Sequence, residues 1–575
     1  MQTLVSSLPE ILNPAFRSTP VRWAGQDNKP SRERACARTS RSVLGFVGLA
    51  VFAASCAAQG LNSGALAVGS GPGELGLVKA INEDCRGPAT ISPAANGGLA
   101  VLDRVNNKIV VLGADKSRDV PLPNDFLEPA DLMVTARGYL VVGAAGDAVL
   151  VAEKGEVLTR QRTAYDPTLG SPRLVFASDA KFAIENLKGE RTRLTLDAGA
   201  PLVAGVADAA SYVSKASGPG KIDLTSNRFP TINITSSIRI NGARALWADK
   251  DQGALIAVQE TRQLPRENTF VRLIKADVKG VPISETYLDA ETFACDAVRP
   301  YTRLTDGRVV SLLFEAGKLS LKVLAFSPVG TAQPVPVAEG SSALLIAAER
   351  AALEKLEEAN GSTDAITVSM SEIDRSTILA RARAALEFRW QLTASAYSQP
   401  DVENRCSPPD SKWARAKILE GKGGTTRTGL PYAWGSYIAN LDIFAKRLES
   451  GALASNVCTC RNADCVNKRA TGVDCSGFVS YAWRAGNYYT TASLPNKNLS
   501  TQIPWVDVKP GDIVNKAGSH VRLVESVSEH PSGNYLTVIE STTLATCGGV
   551  CRRSYSEAEL QRAGYKPHRR SNVRD

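Results

Sequence analysis

The chain has 575 residues and a formal net charge of +9, with 43% hydrophobic and 22% charged residues. That length suffices for two or three domains, and the composition excludes wholesale disorder. The charge is mild and no dense basic stripe accompanies it. A nucleic-acid face is therefore excluded, and weak attraction to an anionic wall is the most it supports.

In chain order, residues 1–41 carry Arg17, Arg22, Lys29, Arg32, Arg34, Arg38 and Arg41 against Glu10, Asp27 and Glu33. Residues 42–55, SVLGFVGLAVFAAS, are apolar, uncharged and too short to span a bilayer comfortably. Basic residues precede the run and small residues end it, the pattern of a secretory signal over residues 1–55. The run stops at Cys56, and Phe52-Ala53-Ala54-Ser55-Cys56 resembles a bacterial lipobox. That resemblance implies a lipid on Cys56, a membrane anchor and a place in the cell envelope, on the outer membrane or secreted. A plain cleaved signal with an incidental Cys is the alternative.

Residues 56–75 are Gly- and Ser-rich and read as a flexible tether. A repeat follows over 76–340. Leu99–Asp103 and Lys108–Leu112 alternate around Asn106-Asn107, and Leu140–Val142 and Val149–Val151 flank Gly146-Asp147. Pro88 and Pro129 are 41 residues apart, as are Leu99 and Leu140. Weaker echoes begin near Pro172, Pro201, Ala243 and Pro300. Short strands repeating near this period predict an all-β propeller of about six blades, stable only when the blades stack. The first segment resembles an NHL or WD-type blade. A two-sheet sandwich is the alternative.

Residues 341–372 predict a helical linker, capped by Ser341-Ser342 and striped by Leu345, Ala348, Ala352, Leu353 and Leu356. A second helix is predicted from about Glu372 to Tyr397, with Ile378, Ala382, Ala385, Leu386 and Trp390 inward. It opens a last domain over 373–575.

In that domain, Thr471–Trp483 contains Asp474-Cys475-Ser476-Gly477 ahead of an apolar stripe of Phe478, Val479, Ala482 and Trp483. Asp474 and Ser476 suit a helix start, which places Cys475 where unsatisfied N–H groups favour thiolate. A thiolate nucleophile needs a base, and the chain has three histidines. His530 lies in a polar turn and His568 in a basic tail. His520 directly precedes an apolar strand run. The run Tyr535–Glu540 would pair with it through a turn at Pro531–Gly533, bringing Glu540 to the imidazole to fix its tautomer.

These segments, with Pro510-Gly511-Asp512, Ser519-His520-Val521 and the upstream Tyr432-Ala433-Trp434-Gly435, resemble the NlpC family of cell-wall cysteine peptidases. The resemblance covers the C-terminal third only. It implies an α+β papain-like fold, Cys475 as nucleophile, His520 as base, Glu540 at the third position, and Tyr432, Asp474 and Ser476 at the substrate. It also implies hydrolysis of amide bonds in peptidoglycan stem peptides, of the γ-D-glutamyl-diaminopimelate type. Three departures stand out. Arg522 replaces the usual Gly, Glu540 replaces the usual His, Asn or Gln, and a long Cys-bearing insertion separates Gly435 from Asp474.

Cys85, Cys295, Cys406, Cys458, Cys460, Cys465, Cys547 and Cys551 remain, an even set that reads as disulfides in an exported protein. Zinc ligation by the cysteines between 458 and 551 is the alternative. No cofactor motif appears, and no metal is expected. The propeller, which has no histidine over 75–340, is expected to be non-catalytic and to bind a protein partner or substrate. Acyl transfer on the same Cys-His pair, or a propeller binding lipoprotein with a silent peptidase domain, are the other functional readings.

Overall fold

The computed structural model describes residues 63–332 and 370–575. Short gaps lie at 79–83, 114–115, 177–180, 203–210, 219, 263–267, 290–294, 296, 316–317, 398–412, 460–464 and 531–532. The signal segment, Cys56 and the helix expected over 341–360 fall outside the described residues, as do Cys406 and Cys460.

Six antiparallel sheets follow one another and make a β-propeller. Blade 1 comprises Thr90–Pro93, Leu99–Asp103, Lys108–Leu112 and Ser117–Pro121, and blade 2 comprises Pro129–Thr135, Gly138–Gly143, Ala148–Val151 and Val157–Gln161. Blades 3 to 6 begin at Arg173, Val213, Arg239 and Tyr301. The second and third strands of blade 1 are buried throughout, while its outer strand is largely exposed. This is why those strands read as near-continuous apolar runs: each blade is covered on its two faces by its two neighbours. Leu102, Ile109, Leu132 and Val141 share one cluster between blades 1 and 2. Val101, Val110, Leu312 and Leu321 share another between blades 1 and 6. The buried Asp131 ties the inner strands together, accepting from Thr90 Oγ1 at 2.9 Å and from the Leu174 N–H at 2.8 Å, and pairing with Arg299.

The stretch expected to be a tether is built into the ring over its described part. Gly64–Ala65 pairs with Lys318–Val323 as the fourth strand of blade 6, with Gly64 opposite Leu321. Leu75 is buried in the cluster between blades 1 and 6. Small residues allow this close backbone pairing, so Gly and Ser here mark proximity rather than slack.

The C-terminal domain has a six-stranded antiparallel sheet: β1 (Ser500–Gln502), β2 (Ile513–Lys516), β3 (His520–Ser528), β4 (Tyr535–Thr542), β5 (Gly549–Ser556) and β6 (Lys566–Arg570), in the order β1-β6-β2-β3-β4-β5. Its longer helices are α1 (Arg375–Glu387), α2 (Leu441–Glu449), α3 (Cys475–Ala482) and α4 (Glu557–Arg562), and a single turn spans Ala394–Tyr397. α1 and α3 pack on each other and on β3 to β5. The long helix expected to Tyr397 ends at Glu387. Arg389–Gln391 is instead a strand paired with Thr426–Thr428, and Trp390 Nε1 donates to the Gly429 carbonyl. His568 lies on β6 inside the sheet, not in a tail, because Pro567, His568 and Arg570 supply buried positions to an otherwise basic strand.

Candidate functional site

The motif segments converge on α3. The carboxylate of Asp474 caps the helix. It accepts from Gly477 N at 2.6 Å, Gly435 N at 3.0 Å, Ser476 Oγ at 3.1 Å and Tyr488 OH at 2.6 Å. Burial pushes this carboxyl up from its ordinary value, and the four donors oppose that shift. The cap is tight enough to dictate sequence. A Cβ on Gly477 would lie 2.2 Å from the Ser436 carbonyl oxygen, so only glycine fits. Tyr432 bridges to Val473, which precedes the cap, and Trp483 at the helix end donates to the Gly511 carbonyl at 3.0 Å. Asp474 and Ser476, expected at the substrate, are both fully buried and joined to each other in the cap. Tyr432 is equally buried.

Cys475 opens α3, and among the described cysteines it is the one outside a disulfide. His520 opens β3. β3 and β4 pair with Leu523 opposite Ile539 and Val524 opposite Val538, and the register shifts at Glu525. Continued toward the strand ends, this register sets Arg522 opposite Glu540 and His520 one diagonal step away, within reach of a long side chain. His520 Nε2 and Glu540 Oε2 are 2.7 Å apart. The other ring nitrogen, Nδ1, is buried without a hydrogen bond. Cys475, Val521, Leu523 and Ile539 share one apolar cluster, and Ser541 Oγ, next to Glu540, donates to the Val473 carbonyl at 2.7 Å. The helix that Cys475 opens and the strand bearing Glu540 are thus fastened together.

Glu540 also accepts from Tyr555 OH at 2.6 Å. Burial alone would raise its pKa, but Arg522 and His520 together hold it well below the usual carboxylate range. It is therefore an anion beside His520. Cys475, His520 and Glu540 are all sealed from solvent.

Cys85 is bonded to Cys295 and Cys547 to Cys551, and Cys458 and Cys465 are disulfide-bonded as well. These six are thereby removed from zinc ligation. Asp84, His520 and Glu540 bring ligand atoms within 4.8 Å of one another. The Arg522 guanidinium, 2.5 Å from Asp84 and 2.9 Å from Glu540, already supplies positive charge to that cluster.

A second feature lies in the propeller. A cavity of about 580 Å³ touches every blade and is flanked by Ser556 and α4 of the C-terminal domain. Arg173, Arg244, Arg299 and Arg303 line it with Trp247 and Tyr301, against Glu185 and Glu559. Arg173 pairs with Glu559 at 2.8 Å, and Arg303 stacks 3.8 Å over the Trp247 ring. Burial, reinforced by the like charge of Arg173, lowers Arg244 to about 10. No local sequence signal marks this cavity, since these arginines come from blades 3, 5 and 6.

Fold and site together define a β-propeller joined to an α+β domain that buries a cysteine, a histidine and a glutamate. No family model matches the chain, and no curated protein matches it. Among solved structures it is similar to a streptogramin B lyase, at 12% identity and TM-score 0.26, over 44% of this chain and 97% of that one. It is also similar to BamB from Moraxella catarrhalis, at 12% identity and TM-score 0.22, over 46% and 96%. YCF48 bound to D1 peptide gives 11% and 0.24, over 47% and 100%. The propeller assignment rests on the six sheets themselves.

Proposed function

We propose that the protein is a cell-envelope cysteine hydrolase acting on amide bonds of peptidoglycan stem peptides, with its propeller as a binding module. The observation that carries this reading is the His520–Glu540 pair at 2.7 Å, which leaves Nδ1 without a hydrogen bond on a strand packed against the helix that Cys475 opens. In this reading His520 takes the Cys475 proton and the thiolate attacks the amide carbonyl, with backbone N–H groups at the start of α3 stabilising the oxyanion. The leaving amine takes its proton from His520, and the thioester is then hydrolysed by water that His520 activates. Tyr432, Asp474 and Ser476 shape the helix start. Because the three central side chains are sealed, substrate reaches Cys475 only when the surrounding groups part.

The propeller cavity suits an anionic ligand, since six arginines and Lys188 line it against two carboxylates. A stem peptide carries such carboxylates. Soluble muropeptides should bind the wild type and bind more weakly after Arg244→Gln. Mass spectrometry of purified peptidoglycan after digestion tests the activity and identifies the bond cut. No new fragments from active-fold protein would refute hydrolysis.

The sealed site favours one other reading: an envelope protein whose propeller binds a partner while the C-terminal domain is catalytically silent. Absent turnover together with muropeptide binding would select it. Export and a lipid on Cys56 belong to both readings, and N-terminal analysis of the mature protein tests them.

A further inference from the structure

Arg522, the departure from the family's usual glycine, sits at the junction of the two domains. Its buried guanidinium lies between the rings of Tyr555 and Tyr565, 4.3 and 4.4 Å from their centroids. On one side Nε is 2.9 Å from Glu540 Oε2, the oxygen that also meets His520. On the other, Nη2 donates to Asp84 Oδ2 at 2.5 Å. Asp84 accepts from Tyr565 OH as well, and its Oδ2 is 3.9 Å from His520 Nε2. Asp84 comes from the propeller side of the chain. The next residue, Cys85, is bonded to Cys295 just ahead of blade 6, and Arg86 pairs with Val78.

We infer that Asp84 is a positioning residue of the Cys475–His520 site, supplied by the propeller and held there by the Cys85–Cys295 disulfide. This rests on the hydrolase reading. Two carboxylates share one guanidinium, and that sharing keeps Glu540 available to His520. A guanidinium engages a carboxylate best through two parallel bonds. With Asp84 removed, Arg522 would turn that preference on Glu540 and compete with His520 for Oε2.

Charge points the same way. Asp84 and Glu540 balance Arg522 and Arg553, whose Nε is 3.8 Å from Glu540 Oε1, and a Cys475 thiolate balances an imidazolium at His520. Without Asp84, the imidazolium state would leave a net positive charge in a buried site, and burying uncompensated charge is costly. Tyr555 and Tyr565 add hydroxyls but no charge. The propeller therefore completes the site, and a C-terminal domain freed of it would lack Asp84.

The test uses the full chain and reads Cys475 directly. Iodoacetamide alkylation is followed from acid to alkaline pH by mass spectrometry of the Cys475 peptide, alongside peptidoglycan turnover and a thermal melt. Wild type should react at acid pH, where an isolated thiol does not, because the thiolate is paired with the imidazolium. Asp84→Asn, which removes the charge and little else, should shift the alkaline end of that plateau to lower pH. It should also reduce kcat about tenfold with KM little changed. The double variant Cys85→Ser/Cys295→Ser should move both readouts in the same direction, and it serves if Asp84→Asn fails to fold. A wild-type profile and turnover in a folded variant would overturn the role of Asp84. If wild type itself reacts as an isolated thiol, the Cys475–His520 reading fails, and the role of Asp84 falls with it.

Discussion

His520 and Glu540 meet at 2.7 Å with both side chains fully buried, although they lie on different strands 20 residues apart. The hairpin register creates the pair, and the charge on Glu540 gives it direction. An anion at Nε2 selects the tautomer with the proton there, leaving Nδ1 to accept one. Glu540→Gln keeps a polar group but removes the charge. By analogy with other orienting carboxylates, turnover on peptidoglycan should fall by up to ~10⁴-fold. Glu540→Ala should be no better. Near-normal turnover in either variant would mean that another group orients the ring.

Cys475→Ala and Cys475→Ser should each abolish nearly all hydrolysis. Cys475 is in no disulfide, so replacing it breaks no cross-link and the loss should come without unfolding, at a cost of about 1 kcal/mol. A melting curve beside the turnover assay separates the two effects. Cys475→Ala cleaving at the wild-type rate would remove the nucleophile from the mechanism.

The 41-residue spacing of Pro88 and Pro129 was readable because the first two blades are regular, each with four short strands. The echoes from Pro172 onward are weaker for a physical reason. Blades 3 and 4 have three strands apiece among the described residues, and the first strand of blade 5 runs 11 residues through two register shifts. The closing strand Gly64–Ala65 left no local signal, because two small residues carry no periodicity and their partner lies some 250 positions away. The same contrast holds at the site. Cys475, His520 and Glu540 sit in local motifs with helix or strand context. Asp84 is 438 positions from Arg522 and belongs to no motif. Arg522 alone was visible, as a residue that did not fit.

His568 gives a pH-dependent prediction of defined sign. Burial lowers it from 6.5 to about 4 in the folded chain, where Nδ1 faces Ser500 Oγ at 3.4 Å. As pH falls through 6.5, the unfolded chain binds a proton at this position before the folded chain does. The folded state therefore loses stability between about 6.5 and 4, and this contribution levels off below that range. The shift corresponds to about 3 kcal/mol. His568→Gln should flatten this part of the stability-against-pH curve, measured by denaturant unfolding. An unchanged slope would place the acid sensitivity elsewhere.

The last prediction concerns ring closure. Gly64–Ala65 completes blade 6, the Leu66 N–H donates to the Leu319 carbonyl at 2.8 Å, and Leu66 packs against the cluster between blades 1 and 6. Deleting residues through Leu66 would remove these bonds and that packing. It would also leave Lys318–Val323 as an unpaired edge strand, which invites pairing with other chains. Losing a few backbone bonds and one partly buried leucine costs about 2–4 kcal/mol. The truncated protein should melt earlier than one cut only through Asn62 and should aggregate as it does so. Both proteins keep Asp84 and the disulfide at Cys85, so Cys475 alkylation should be alike in the two before melting. Equal melting of the two would show that the segment is a tether after all.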